Sequence, residues 1–264
     1  MSKTVVVSGA SSGIGFAIAL RLHAAGYRVV GLSRTLPKKA YAFAYVTADI
    51  ADEASVHAAV TRILGEDKSI FALINCAGMG ISGAAEYTDL AQAKRMFDVN
   101  LFGTFTLTKA FLPALRAEHG RIINISSVAA KLAIPFQAFY SMSKAAIDVF
   151  TETLRLELRP LGVQVASVLP GDTATSFTQN REKSPIEVDA VYGDRIQRSV
   201  ARMEADERQG MAPDSVAKVC QKLLQRRRMP ISVAVGFQYK LFLALKWLLP
   251  KRLVESVLYM MYGK

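Results

Sequence analysis

Val5-Val6-Val7-Ser8-Gly9-Ala10-Ser11-Ser12-Gly13-Ile14-Gly15 reads as an apolar strand, a glycine-rich turn and the start of a helix. Glycines let a backbone turn sharply and approach a ligand closely, and a helix N-terminus presents unpaired N–H groups that suit a pyrophosphate. The spacing is Gly-x-x-x-Gly-x-Gly, at the point where a first βαβ unit would open. Gly9, Ser11, Ser12, Gly13, Ile14 and Gly15 are therefore candidate phosphate-binding positions.

Outward from this stretch the chain alternates strand and helix. Strand-like runs occur at Thr4 to Ser8, Tyr27 to Ser33, Ala42 to Thr47, Ile70 to Asn75, Arg121 to Ser126, Val163 to Val168 and Ile231 to Val235. Gly26, His119-Gly120, and Pro160 with Gly162 stop the intervening helices. The runs are continuously apolar, as in a parallel sheet covered on both faces. The expected fold is α/β, a doubly wound parallel sheet of about seven strands in three layers. Without repeats or a Pro/Gly/Ser linker, residues 1–264 read as one domain. The charged segment 176–213 follows the sixth strand at the carboxyl edge of the sheet, where open α/β folds bind ligands, and is expected to be a substrate lid.

Of the 264 residues, 51% are hydrophobic and 21% charged, which excludes a disordered chain. Cys76 and Cys220 are far apart and, like His23, His57 and His119, lack metal-ligand spacing, so no metal is expected. Cys76 reads as a small hydrophobe rather than a nucleophile. Sparse cysteine and an N-terminus that enters a strand with no signal peptide point to the cytoplasm. The net charge of +11 is uneven: residues 218–264 carry ten basic groups and one acid, Glu255. A basic tail suits nucleic acid, an acidic partner or an anionic membrane surface; nucleic acid is not expected here.

The end of the second strand discriminates between two dinucleotides. NAD enzymes place a carboxylate there for the ribose hydroxyls. This chain has no Asp or Glu before Asp49, and its second strand ends Leu32-Ser33-Arg34, followed by Lys38-Lys39. A cation at Arg34 can pair with a 2′-phosphate, so NADP(H) is the expected cofactor.

Tyr140 and Lys144 are four apart on a helical pattern and share one face, separated by about 6 Å of helix rise. A free phenol, with its pKa near 10, is a poor catalyst at neutral pH, and a neighbouring ammonium lowers that value. Ser127 precedes Tyr140 by thirteen residues, Asn75-Cys76-Ala77-Gly78 ends the fourth strand, and Asn100 follows Val99. With Gly9, Gly13 and Gly15, this ordered set resembles the short-chain dehydrogenase/reductase family, Rossmann-type in fold, over Lys3 to Thr175.

The resemblance implies roles. Tyr140 is the general acid in reduction and base in oxidation, Lys144 lowers its pKa and bonds the nicotinamide ribose, and Ser127 bonds the substrate oxygen. Asn100 holds a water linking Lys144 to solvent. Asn75, Ala77 and Gly78 border the adenosine ribose, and Asp49 and Ile50 the adenine. Pro170-Gly171 passes beside the nicotinamide. A threonine bonds its carboxamide; Thr175 is the expected one, with Thr173 in the place the family usually gives an aliphatic residue. The expected activity is NADP(H)-dependent hydride transfer to or from a small hydrophobic carbonyl or alcohol, steroid-, retinoid- or lipid-like. Alternatives are a 3-oxoacyl-carrier reductase and a non-catalytic NADP-sensing or scaffold protein. Assembly as a homodimer or homotetramer, through the helices carrying Asn100 and Tyr140, is also implied.

The C-terminal extension, 236–264, reads as two helices. Tyr239 to Leu249 is apolar over most of its circumference, cut by Lys240 and Lys246. Pro250 fits the first turn of the second helix, in which Leu253, Val254, Val257, Leu258 and Met261 recur at helical spacing. Two readings are open: a pair packing over the cleft or a partner subunit, or a pair lying in a membrane interface with Tyr239 and Trp247 at headgroup level.

Overall fold

Val5 and Val7 point to one face of a sheet and Val6 to the other, and all three are fully buried. That two-sided burial is why the strand runs are continuously apolar. The computed structural model describes residues 2–37, 41–184 and 191–264. The elements are β1 (Thr4–Ser8), α1 (Gly13–Ala24), β2 (Arg28–Ser33), β3 (Ala44–Thr47), α2 (Glu53–Glu66), β4 (Ala72–Asn75), β5 (Ile81–Ser82), α3 (Leu90–Phe97), α4 (Gly103–Ala117), β6 (Arg121–Ile125), α5 (Ala138–Leu158), β7 (Gln164–Leu169), α6 (Phe177–Asn180), β8 (Glu182–Lys183), α7 (Arg195–Arg208), α8 (Pro213–Gln225), β9 (Ser232–Ala234), α9 (Phe237–Leu248) and α10 (Lys251–Tyr262).

Seven strands form one parallel sheet in the order β3-β2-β1-β4-β6-β7-β9. One face packs on α1 and α8 through Ile18, Leu22, Val216 and Leu223. The other packs on α2, α4 and α5 through Val60, Ile63, Leu107, Phe111 and Leu154. The strand order reverses between β1 and β4, and the crevice beyond their carboxyl ends is where such sheets bind ligands. All seven sequence-predicted strands are present, with ends shifted by at most two residues.

Several features were not legible beforehand. The two-residue strands β5 and β8 pair in parallel and tie the segment after β7 to the loop after β4. Segment 176–213 leaves and returns at one place, where Met211 N donates to Asp172 O (2.9 Å) and Ala174 N to Met211 O (3.0 Å). Within it, α7 buries Ile196, Val200 and Met203 against Ala84, beside Ile134 and Phe136. Asp98–Phe102 form a π-helical turn between α3 and α4, a wider turn that often marks functional sites. Pro250 lies one residue outside α10 rather than in its first turn.

Candidate active site

The phosphate loop is shaped by close backbone approach. Gly9, at φ +69°, leaves room for only 2.8 Å between a Cβ and the Ala77 backbone, and a Cβ on Gly15 would strike the Gly9 carbonyl. Ser8 Oγ accepts from the N–H groups of Cys76 (3.0 Å) and Ala77 (3.1 Å), fastening the loop to the end of β4. The first turn of α1 holds no acidic residue, and Ser12, at its N-cap, makes no side-chain capping bond. Its N–H groups thus face the crevice with no carboxylate of their own helix, which fits an anionic pyrophosphate. Ser11 and Ser12 line the turn, and Ile14 packs inward against the α1–α8 side of the core.

Arg34 is exposed directly after β2, whose Leu32 carbonyl accepts from Ala10 N of the loop (3.2 Å). Ser33 is buried and donates to Thr35 O (2.7 Å). Lys38 and Lys39 lie outside the described residues. Asp49 accepts from Ala51 N (3.0 Å) in a turn, and Ile50 is buried beneath Gly103.

The Asn75 side chain is buried at the end of β4, where it donates to Thr108 Oγ1 (3.0 Å) and Asn124 Oδ1 (2.8 Å). Asn124 in turn donates to Thr151 Oγ1 (2.9 Å), making a polar strut between β4, β6, α4 and α5 that sequence spacing did not disclose.

Ser127 follows β6 in extended conformation, with its Oγ accepting from Ala129 N (3.1 Å). Tyr140 and Lys144 occupy the first two turns of α5, and Lys144 Nζ lies 5.9 Å from the Tyr140 ring centre. The expected lowering of the Tyr140 phenol by Lys144 is not found: burial pushes the phenol up to about 12, and the groups that oppose this are Ser127, through a hydrogen bond, and the nearby Arg181 charge. Burial pulls the Lys144 ammonium down to about 8, with Cys76 and Asp148 acting the other way. Lys144 Nζ donates to Ile125 O (3.0 Å). Burial raises the Cys76 thiol to about 12, consistent with an inert side chain.

Asn100 is fully buried in the π turn. Its amide accepts from Met79 N (2.8 Å) and donates to Met79 O (2.9 Å) and Ser143 Oγ (3.1 Å). A Cβ on Gly78 would sit 3.2 Å from Asn100 Oδ1 and 3.6 Å from Lys144 Nζ, so glycine keeps that approach open. Thr173 and Thr175 separate clearly. Thr173 is buried and donates to Gly171 O (2.9 Å), whereas Thr175 lies over Gly13 of the phosphate loop.

Four residues absent from the sequence reading complete the surroundings. Phe177 stands 5.7 Å from the Tyr140 ring centre. Arg181 stacks on Phe177 and is ion-paired with Glu207 in a buried setting. Asp172, following Pro170-Gly171, accepts from Tyr239 Oη (2.6 Å), and its own N–H donates back to that oxygen (2.9 Å). An apolar cleft of ≈ 480 Å³, lined by Ile134, Pro135, Phe136, Met142 and Tyr192 among others, opens beside the first turn of α5. Ser127 and Tyr140 are not part of its lining.

A glycine-rich loop at the sheet's reversal point, on the same edge as a serine, a tyrosine and a lysine, fits a nicotinamide-dependent oxidoreductase. The family model for short chain dehydrogenases matches residues 3–185, and the chain belongs to the short-chain dehydrogenase/reductase family. It is 36% identical to a 3-ketodihydrosphingosine reductase of Bacteroides thetaiotaomicron over 264 residues, covering 99% of this chain and 98% of the relative. A short chain dehydrogenase of Burkholderia cenocepacia solved with NADP is 28% identical, with a TM-score of 0.78 and 97% of each chain covered. A Burkholderia phymatum member solved with NAD is similar in fold, with a TM-score of 0.80, 93% of each chain covered and 23% identity. The chemistry is oxidoreduction at a CH–OH/C=O centre with NAD(P).

Proposed function

We propose that this protein is an NADPH-dependent reductase of a long-chain ketone. The observation that carries the cofactor choice is Arg34: exposed at the end of β2 beside the phosphate loop, it stands in a chain with no carboxylate before Asp49. A 2′-phosphate would find a cation there, and free ribose hydroxyls would find no acceptor carboxylate. The substrate class is supported by likeness to the sphingoid-ketone reductase along nearly the whole chain, including the C-terminal extension.

When bound, the nicotinamide supplies the hydride. Gly9, Ser11, Ser12, Gly13, Ile14 and Gly15 would hold the pyrophosphate, Ala77 and Gly78 the adenosine ribose, Asp49 and Ile50 the adenine, and Thr175 the nicotinamide end. Ser127 donates to the carbonyl oxygen as negative charge grows on it, and Tyr140 Oη gives that oxygen its proton. The phenol holds its proton at neutral pH, the state reduction requires, but burial, which pushes it up to about 12, works against giving that proton up. Lys144 keeps its positive charge close to the phenolate left behind. Asn100, by gripping Met79 through both its N–H and C=O, keeps the Gly78 approach to Lys144 open for proton exchange with solvent.

Exposed Phe102, Phe105, Val149 and Leu156 on the outer faces at α4 and α5 suit assembly into a homodimer or homotetramer. The basic C-terminal segment keeps a second reading in play, reduction of a 3-oxoacyl group on an acidic carrier.

Turnover of 3-ketodihydrosphingosine, other hydrophobic ketones and 3-oxoacyl-carrier substrates, with NADPH and with NADH, tests the proposal. NADPH and the long-chain ketone should give the highest kcat/KM; activity confined to carrier-bound substrate would establish the second reading instead. Arg34→Asp should move the NADPH/NADH preference by roughly ten- to a hundredfold, the worth of one charge-assisted contact. An unchanged ratio would show that another group reads the phosphate.

A further inference from the structure

The helix pair α9–α10 is held to the body by few side chains. Tyr239 and Leu243 pack with Val128 and Leu169, while Tyr262 joins the α7 cluster and donates to Asp206 (3.1 Å). Arg195 donates to Gly263 O at the end of the pair. The rest of the pair faces solvent with large apolar groups. Half of the exposed large hydrophobic side chains among the described residues lie in 237–261, including Phe237 (82% exposed), Trp247 (86%), Leu248, Leu253 and Met260. A patch of this extent on a water-soluble surface calls for a partner.

Charge identifies the partner. Lys240, Lys251 and Arg252 are exposed around the apolar groups, and the single acid, Glu255, lies 3.8 Å from Lys251. Two copies meeting through this face would bring like charges together as the face loses water. An anionic lipid surface removes the apolar groups from water and pairs the cations at the same time. Among the described residues no helix is long and apolar enough to cross a membrane, so the geometry is that of helices lying in the interface. Tyr239 is excluded from that contact, because it is buried and bonded to Asp172; Trp247 is not.

We propose that α9 and α10 dock this protein onto an anionic membrane surface, placing the site's Gly171–Asp172 corner next to lipid. The proposal concerns binding, which is read without turnover, so it stands or falls separately from the choice of ketone and cofactor.

Trp247 is the chain's single tryptophan and reports directly from the patch. Mixed phosphatidylcholine/phosphatidylglycerol vesicles at low salt should co-sediment the full-length protein and shift its tryptophan emission to the blue. Both signals should weaken as salt screens the cations. Phe237→Glu with Leu248→Glu, at solvent-facing positions, should abolish binding while leaving the circular dichroism unchanged. Lys240→Gln with Lys251→Gln and Arg252→Gln should weaken binding to the mixed vesicles several-fold. Absence of co-sedimentation at low salt would overturn the proposal. So would equal binding to pure phosphatidylcholine, or a blue shift that grows with protein concentration without vesicles, which would show a second copy covering the face.

Discussion

Tyr140 concentrates the chemistry at the scale of one residue. Removing its hydroxyl in Tyr140→Phe deletes the proton donor and no phosphate contact. Turnover should fall by roughly a hundredfold to ten-thousandfold while NADPH affinity, measured by fluorescence titration, stays within a few-fold. Lys144 sets function against stability. Its buried ammonium is pulled from 10.5 to about 8, so between those values the unfolded chain binds more protons than the folded one. Stability from this group therefore rises with pH across that window, and its cost is fully present below about pH 8. Lys144→Met should abolish turnover; relative to wild type, its Tm should be more favourable at pH 7 than at pH 10. A Tm difference that does not change with pH would refute the burial cost. Both residues were legible from their four-residue spacing and from Ser127 upstream. Asp172, Arg181 and Glu207 were not, because they reach the site through a segment whose fold depends on β5–β8 pairing and on α7 packing.

For α9 the sequence left two readings open, packing over the cleft or lying in a membrane interface with Tyr239 at headgroup level. Tyr239 does not reach a headgroup position: it is turned inward to a two-way hydrogen bond with Asp172. The ring lies flush on Gly171, where any Cβ would overlap it. Gly171→Ala should lift the first turn of α9, seen as faster amide exchange across 237–248, and should raise KM. Unchanged exchange would mean that the ring has room to move. Tyr239→Phe leaves Asp172 N without its partner and should cost about 1–2 kcal/mol in denaturant unfolding. The π turn at Asn100 is a second case. A polar residue in a helical pattern marked the position, but the pair of hydrogen bonds with the Met79 backbone exists only because the loop after β4 comes back to meet it.

At the scale of the whole molecule, two apolar surfaces lie in different places with different surroundings. The outer faces at α4 and α5 expose Phe102, Phe105, Val149 and Leu156, suited to another copy of the chain. Sedimentation velocity should show a dimer or tetramer, and Val149→Glu with Leu156→Glu should convert it to monomer without unfolding. A wild-type monomer at micromolar concentration would remove that interface. The α9–α10 surface is ringed by cations and suited to lipid, so its variants should leave the oligomeric state unchanged.

The sequence by itself determined the sheet, the phosphate loop and the Ser127–Tyr140–Lys144 set. These are written in local signals: runs of apolar residues, glycine spacing, and one helical turn between two side chains. The strand order was decided by the tertiary structure. Only the tertiary structure decided which of Thr173 and Thr175 faces the phosphate loop, that the Asn75 side chain serves the core, and that Tyr239 belongs to the site while Trp247 belongs to the surface. Each of those depends on contacts between segments far apart in the chain, whose energies come from burial and hydrogen-bond partners that no local pattern encodes.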